Sequence, residues 1–382
     1  MTSTIRRGKV WNILKKTVKS FLALFALVCC LSGCSHIKSI SENDERLAEA
    51  GDENAERIVP LGAWAAVYDG EYEVIEAPPN ITRVIAPIGE NGFLVENDGE
   101  YGIFTPNGEY RGLFPKYSEV GGKKMYSAIT YNNDEYIVYY TSEENPGYVG
   151  EREYELHLLR LSDMEDKRIY FLPMIPNSDN WAVICDNCVY FEREEIKSGG
   201  TSSYDGDYIG SSIIKYDIEN GKLEKFCRNA GSPVLYKGKL AFFVDGGKLV
   251  SLAEPAFIPE EYGLEDSIIL PSENTIAYSY RRDGESCCGY IKDGKKFDIF
   301  QCKFGISSVD FSDGCAVWNN ARYLNETELL PMFYSEKRNS IVVVDCERAR
   351  YKSFINNGKM FFFGYDTDGN MERVLILDTD KI

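Results

Sequence analysis

Residues 232–245 read SPVLYKGKLAFFVD, and this stretch decides the fold. A short apolar segment, a tight polar turn at Lys237–Gly238 and a second, more aromatic segment together predict a β-hairpin. No long window of the chain has a helical period, so the sequence predicts an all-β protein. The same unit can be read six more times, at residues 84–97, 127–140, 181–193, 267–280, 308–320 and 351–364.

The seven copies recur at a nearly regular interval. The first apolar residue after the turn recurs about every 44 residues between Phe93 and Met360, which is the length of a four-stranded propeller blade. A third strand and often a fourth follow the hairpin, as at residues 101–104 and 110–114. We therefore predict a β-propeller of seven four-stranded blades, and the irregular spacings leave six or eight blades open.

The last copy needs an outer strand from elsewhere, because the sequence ends soon after its third strand at residues 373–378. The segment 64–76 precedes the first copy and is the only strand-like sequence not yet assigned. We expect it to pair with the last blade. Such pairing closes the ring and removes an open sheet edge.

This arrangement resembles the WD-repeat and TolB-like β-propellers, with turns such as YKGKLAFF at residues 236–243 in the place of their strand–turn–strand unit. The resemblance covers residues 61–382 and concerns architecture. It implies no catalytic residues, because neither the WD dipeptide nor the sialidase box SxDxGxTW occurs in the sequence.

The first 34 residues have the order of a bacterial export signal. A basic segment without acids precedes an apolar run of about eleven residues at 21–31, which is too short to span a bilayer as a helix. The tetrapeptide LSGC at 31–34 follows and resembles the lipobox of bacterial lipoproteins. The resemblance implies cleavage after Gly33 and a lipid on Cys34. A secretory signal or membrane anchor with an incidental cysteine is the alternative.

These features predict three parts and a location. Residues 1–33 form the signal peptide, residues 34–60 are the lipidated cysteine and a polar tether, and residues 61–382 are the propeller domain. We expect the lipid to hold the protein on the extracytoplasmic side of a bacterial cell membrane.

Composition narrows the range of functions. The chain has 60 acidic and 42 basic residues, a net charge of −18, so nucleic acid is excluded as a partner. Only His36 and His157 are present, which removes most histidine-dependent hydrolases and zinc sites. No spacing marks two carboxylates as a catalytic pair. We expect a monomeric protein that is not an enzyme and has no cofactor or metal.

Two short motifs leave alternatives open. Cys185 and Cys188 flank the two-residue turn Asp186–Asn187, and in a hairpin they lie close enough for a disulfide. Free buried thiols and a metal or redox pair are the other interpretations. Residues 366–370 start like a calcium loop, but Leu377 stands where an EF-hand needs glutamate. A plain hairpin turn is the simpler interpretation, with calcium as the lesser one.

Three copies have long connections between their second and third strands, at residues 141–154, 193–211 and 319–340. In a propeller these connections open on one face, and long loops on a rigid scaffold commonly bind ligands; drift of surface loops is the alternative. We expect this face to bind a glycan, peptide or protein. The candidate ligand-binding residues are Tyr148, Arg152, Tyr204, Asp205, Asp207, Tyr208, Arg322 and Tyr323, with Tyr334 beside them in the third connection.

The sequence therefore favours a membrane-anchored binding protein. Two alternatives belong to other classes. One is a carbohydrate-active propeller enzyme that uses aspartate or glutamate, and the other is a structural subunit of a cell-envelope complex.

Overall fold

The computed structural model describes residues 56–57, 66–67 and 73–381. Within the last range it leaves out 90–91, 106, 144–153, 177–180, 197–207, 245–247, 253–267, 272–275, 283–284, 293–294, 303–305, 313, 322–328, 339, 344–352 and 367. The described residues are almost entirely strands, arranged as the seven blades of a β-propeller. The predicted fold class is confirmed.

Four of the seven blades follow the N-terminal strands β1 (Glu56–Arg57), β2 (Ala66–Val67) and β3 (Glu73–Glu76). Blade one contains β4 (Ile81–Ile88), β5 (Gly92–Asn97), β6 (Glu100–Phe104) and β7 (Tyr110–Pro115). Blade two contains β8 (Tyr117–Val120), β9 (Lys123–Asn132), β10 (Tyr136–Glu143), β11 (Tyr154–Arg160) and β12 (Asp166–Leu172). Blade three contains β13 (Ala182–Cys185), β14 (Cys188–Ile196), β15 (Tyr208–Asp217) and β16 (Leu223–Arg228). In its described part, blade four contains β17 (Ala230–Tyr236), β18 (Lys239–Val244) and β19 (Lys248–Ser251).

The remaining three blades complete the ring. Blade five contains β20 (Ile268–Pro271), β21 (Ile276–Arg282), β22 (Glu285–Lys292) and β23 (Lys295–Cys302). Blade six contains β24 (Ile306–Ser312), β25 (Cys315–Ala321), β26 (Leu329–Ser335) and β27 (Ser340–Val343). Blade seven contains β28 (Phe354–Asn356), β29 (Lys359–Tyr365) and β30 (Met371–Asp378), and a short 3-10 helix follows at Thr379–Lys381.

The seven hairpins read from the sequence are the first two strands of six blades and, in blade two, strands β9 and β10, which follow the additional strand β8. Each pairs antiparallel across a short turn. The turn of the stretch at 232–245 has φ of 52° at Lys237 and 66° at Gly238. Positive φ at both central residues is the geometry that a two-residue β-hairpin requires.

Hydrophobic clusters join each blade to the next. Seven clusters of buried residues occur in the described part of the chain, one at each junction around the ring. At the junction of blades seven and one, the ring of Phe93 lies edge-on to Phe361 and Phe363, at centroid distances of 5.0 and 5.6 Å. Such pairs add about 0.5–1.5 kcal/mol beyond burial. Packing between blades therefore forms the core.

The N-terminal segment closes the ring as predicted. Strand β3 pairs antiparallel with β30 and forms the outer strand of blade seven, with Ile75 opposite Val374. Two shorter contacts precede it, because β2 pairs parallel with β27 of blade six and β1 pairs parallel with β23 of blade five. Strand β1 lies within the segment predicted as a tether, so strand pairing begins before Leu61.

Two details differ from the sequence analysis. Strand β8 adds a fifth strand to blade two and forms a hairpin with the start of β9. The third predicted connection, 319–340, contains strand β26, so it is shorter than expected. Tyr334 lies on that strand and is fully buried, because its neighbours in sequence form an apolar strand that packs between blades five and six. Tyr334 is therefore a core residue.

If β3 closes the ring, substitutions at two neighbouring residues of this strand should change the free energy of unfolding by very different amounts. Ile75 is 9% exposed and packs in the cluster between blades seven and one, whereas Val74 is 48% exposed on the same strand. We expect Ile75→Ala to lower the free energy of unfolding by about 2–4 kcal/mol. The control Val74→Ala should change it by about 0.5 kcal/mol or less. Equal effects in denaturant unfolding would contradict closure by β3.

Candidate functional site

Most of the predicted ligand-binding residues lie outside the described part of the chain. These are Tyr148, Arg152, Tyr204, Asp205, Asp207, Arg322 and Tyr323. Tyr208 begins β15, and only its backbone is described. The convergence of these side chains around one mouth remains a prediction. The strands that flank the connections are described, and they identify the face on which the connections open.

The hairpin of β8 and β9 lies on this face. Glu143 is the last described residue before the connection at 144–153, and it pairs with Met125 near the start of β9. The Nζ atom of Lys123 lies 2.8 Å from Oε2 of Glu143, which joins the hairpin to the start of the connection. The face defined by this end of the strands is called the insert face below.

An aromatic ladder runs across the insert face from blade two to blade three. It consists of Tyr117, Tyr126, Tyr140 and Trp181, with successive ring centroids 5.6, 6.4 and 5.8 Å apart. The rings become more buried along the ladder, since Tyr117 is 50% exposed and Trp181 is 5% exposed. Tyr154 packs edge-on against Tyr140 at 6.0 Å. The ladder therefore presents one open ring that is supported by a rigid row of rings.

Two lysines beside the ladder are paired with glutamates, and burial keeps the phenol of Tyr140 neutral. Burial, with smaller contributions from Tyr126 and Tyr154, raises the pKa of Tyr140 to about 12. Lys116 Nζ lies 2.7 Å from Oε1 of Glu96 and 5.7 Å from the ring centre of Tyr117. Burial opposes the charge of Lys116, but the hydrogen bond to Glu96 outweighs it and raises the pKa. The ladder thus offers ring faces and hydroxyl groups.

Two buried glutamates lie on blade three, on the side of its sheet that faces blade four. Glu192 and Glu194 lie on the same face of β14 near the insert face, and they are 6% and 5% exposed. The backbone N–H of Glu192 donates to the carbonyl oxygen of Trp181 at 2.7 Å, which connects this strand to the ladder. Alternate residues on a strand share one face of the sheet, and glycoside hydrolysis uses a pair of carboxyl groups.

The carboxylate of Glu192 is held in place from two sides. Its Oε1 atom accepts a hydrogen bond from Ser211 Oγ at 2.7 Å, and its Oε2 atom accepts one from the backbone N–H of Ser232 at 2.8 Å. Ser232 belongs to the first strand of blade four, so this residue also joins two blades. A glutamate fixed in this way has a single orientation.

The one histidine in the described residues belongs to a polar network on blade two. His157 Nδ1 lies 3.3 Å from Oδ1 of Asp166, and the ring stacks on Tyr139 at 4.9 Å. The hydroxyl of Tyr139 donates to Oδ2 of Asp166 at 2.9 Å. Phe114 of blade one stacks on the other side of Tyr139 at 4.2 Å. This network therefore lies at a junction between blades.

The network predicts a pH-dependent stability. Burial would raise the pKa of Asp166, but hydrogen bonds from His157 and Tyr139 outweigh it and lower the pKa. A lowered carboxyl pKa stabilises the fold above the unfolded value of about 3.9, and the contribution is lost as the pH falls through the folded pKa. We expect Asp166→Asn to cost about 1–2 kcal/mol at pH 7, a modest value because the carboxyl is partly exposed.

The measurement is urea unfolding of wild type and Asp166→Asn between pH 7 and pH 3. The difference between them should shrink below about pH 4. Tyr139→Phe is the control, because it removes one donor while keeping the ring stack. A difference that stays constant down to pH 3 would show that the Asp166 carboxylate is not the source of the stability.

Cys185 and Cys188 lie opposite each other in the register of β13 and β14, as the predicted hairpin requires. Asp186 and Asn187 form the turn, with φ of 47° and 58°. Both cysteines are buried free thiols in this structure, and burial is the largest cause of the raised pKa of each. A disulfide between them, or a metal or redox role, stays a prediction.

Residues 366–370 form the hairpin connection between β29 and β30. The backbone N–H of Asn370 donates to Oδ1 of Asp366 at 2.8 Å, and the Asn370 amide donates to Oδ2 at 3.2 Å. These donors lower the pKa of Asp366. Within the described ranges, no group of three or more His, Cys, Asp or Glu side chains is close enough to hold a metal ion. No described helix is long and apolar enough to cross a bilayer.

The ladder was not predicted from the sequence. Tyr117 and Tyr126 lie in the link between blades one and two, where only a short connection was expected. The available signal was the order Tyr117, Gly121–Gly122, Tyr126, which is two aromatic strands around a turn. No pattern in the sequence marked Glu192 and Glu194 as buried residues, because their burial depends on packing against blade four.

Comparison with known proteins finds similar folds only. No family model and no curated protein matches the chain. Oligogalacturonate lyase from Vibrio parahaemolyticus is 14% identical with a TM-score of 0.49, covering 81% of this chain and 95% of that one. The β-propeller domain of the Trilobed protease from Pyrococcus furiosus is 16% identical with a TM-score of 0.43, covering 63% and 79%.

A puromycin-hydrolyzing peptidase from Mycobacterium tuberculosis is 11% identical with a TM-score of 0.45. The match covers 82% of this chain, which spans about half (55%) of the peptidase. The expectation that the protein is not an enzyme is corrected here, because the similar structures include a lyase and peptidases. Identities this low concern the fold alone, so they name no catalytic residue.

Proposed function

We propose that this protein is a carbohydrate-active β-propeller that binds a glycan on the aromatic ladder of its insert face. The observation that carries the proposal is the ladder itself, with the ring of Tyr117 open to solvent and the rings behind it buried. A sugar ring stacks its C–H face on an aromatic ring. Because the ladder is rigid, little conformational entropy is lost when the glycan binds.

The surroundings of the ladder favour a glycan. The described lysines at the ladder, Lys116 and Lys123, are neutralised by Glu96 and Glu143. The phenol hydroxyls of the ladder donate and accept hydrogen bonds as sugar hydroxyls do. The three predicted connections would then add the residues that choose among glycans.

Glu192 and Glu194 are the acids that we propose for the chemical step. Glycoside hydrolysis uses one carboxyl group as the acid and a second as nucleophile or base. Both glutamates are buried on the face of β14 that packs against blade four, whereas Trp181 lies on the face toward blade two. Glu192 would act as the fixed carboxylate, since Ser211 and Ser232 hold both of its oxygens, and Glu194 would supply the second group.

The proposed location follows from the N-terminal sequence. A lipid on Cys34 would attach the protein to the extracytoplasmic side of a bacterial membrane, where polysaccharides are present. The residues between Cys34 and β1 would keep the propeller near that surface.

Tyr117→Ala should weaken glycan binding by about 1–2 kcal/mol, a loss of roughly five- to thirtyfold in affinity, because it removes the open ring. Phe171→Ala is the matched control, since Phe171 is 49% exposed on the outer strand β12 of the same blade. The measurement is binding of the detergent-purified full chain to an array of neutral and acidic polysaccharides. The glycan retained by wild type is then titrated against both variants.

The same glycan tests the chemical step. Wild type should release shorter sugars from it, and Glu194→Gln should lower this rate by at least a hundredfold while binding persists. If wild type binds no polysaccharide, or if Tyr117→Ala and Phe171→Ala bind equally well, the ladder is not a glycan site. If binding depends on Tyr117 but Glu194→Gln keeps full activity, the assignment of the acids is wrong.

Cys34→Ala should leave the protein as an uncleaved precursor or release it from the membrane fraction, because no thiol remains to take the lipid. The measurement is fractionation with a mass determination of the intact chain. Cys227→Ala is the control, as this cysteine lies on the outer strand of blade three. Unchanged mass and unchanged fractionation of Cys34→Ala would refute lipidation at this residue.

A further inference from the structure

A cavity opens on the opposite face of the ring from the aromatic ladder. It has a volume of about 710 Å³ and lies between blades one and two, where the turns between first and second strands are found. Gly89 of blade one donates its backbone N–H to Oδ1 of Asp134 of blade two at 2.8 Å. Asn132 Nδ2 donates to the carbonyl oxygen of Pro87 at 3.0 Å. These bonds hold the two walls together, so the cavity is preformed.

The floor of the cavity is apolar. Ile88 and Leu161 are buried there, and Ile103 lies beside Gly92, whose missing side chain leaves room. A Cβ atom at Gly92 would lie 2.7 Å from the carbonyl oxygen of Ile88, so the close approach of the strands requires glycine. An apolar floor of this kind binds aliphatic groups.

The rim carries four charged side chains, contributed by both blades. Arg111 lies on blade one and Glu135 lies on blade two, and both are exposed. Neither forms an ion pair with another residue in the described part of the chain, and they do not pair with each other. Arg160, the third charge on the rim, is already neutralised by Asp163 at 3.0 Å and Glu165 at 2.6 Å. Asp134, the fourth, accepts the Gly89 N–H through Oδ1 and forms no ion pair within the described residues. A ligand therefore meets one available cation and two carboxylates.

We propose that this cavity binds a short zwitterionic peptide with aliphatic side chains. The carboxylate of the peptide pairs with Arg111, its ammonium group pairs with Glu135, and its side chains lie on Ile88, Ile103 and Leu161. A dipeptide spans about 7 Å between its ends, so it can contact two charged groups that do not pair with each other. This site is separate from the glycan site proposed above and does not depend on it.

The experiment is isothermal titration of the detergent-purified full chain with three probes. These are L-leucyl-L-leucine, its N-acetyl derivative without the ammonium group, and its C-terminal amide without the carboxylate. We expect the dipeptide to bind at least tenfold more tightly than either derivative. Arg111→Gln should bind the dipeptide and its C-terminal amide equally well, while it still prefers the dipeptide to the N-acetyl derivative. Glu135→Gln should bind the dipeptide and the N-acetyl derivative equally well, while it still prefers the dipeptide to the amide.

Two further variants make the outcome decisive. Ser162→Trp places a bulky ring at an exposed position on the rim and should abolish binding of all three probes. Lys222→Gln, at an exposed site on blade three, should change nothing. The proposal is overturned if the dipeptide does not bind at millimolar concentration. It is also overturned if the three probes bind equally or if binding survives Ser162→Trp. Glycan binding by the same samples is an independent result.

Discussion

The pairing of β3 with β30 is the constraint on which the rest of the structure depends. Each blade is a small sheet that cannot bury its faces alone, and each junction is stable only while a blade stands on both sides of it. With four residues of β3 in place, blade seven gains its outer strand and packs against blade one through Phe93 and Ile75. Seven junctions then support one another, and no blade is left at an end of a row.

Closure also fixes the two faces of the ring. Because every blade runs in the same direction, the connections between second and third strands lie on one face and the turns between first and second strands lie on the other. The aromatic ladder depends on the first arrangement, since Tyr140 of blade two meets Trp181 of blade three only while the two blades keep their angle. The cavity between blades one and two depends on the second arrangement. The ring thus carries two separate candidate surfaces.

The sequence was sufficient for the fold because the fold repeats. Seven copies of one hairpin pattern gave the blade number, and the missing outer strand of the last copy gave the closing segment. The sequence was insufficient to predict features that occur in one blade and are not repeated in the others. Strand β8 departs from the repeat, and Tyr334 looked like a loop aromatic because the strand that contains it follows an irregular connection. Burial of Glu192 and Glu194 could not be predicted, since it arises from contacts with residues about 20–40 positions away.

The closing strand has a consequence for how the protein is made. Residues 73–76 are synthesised before the seven blades and residues 371–378 after the first six, so blade seven cannot be completed until β30 has emerged. Until then, the early blades carry an unpaired strand edge and half-formed junctions, which are surfaces prone to aggregation. Contacts of such high sequence separation also slow folding. The interval between the first blade and the last is therefore the stage at which the growing chain exposes its aggregation-prone edges for longest.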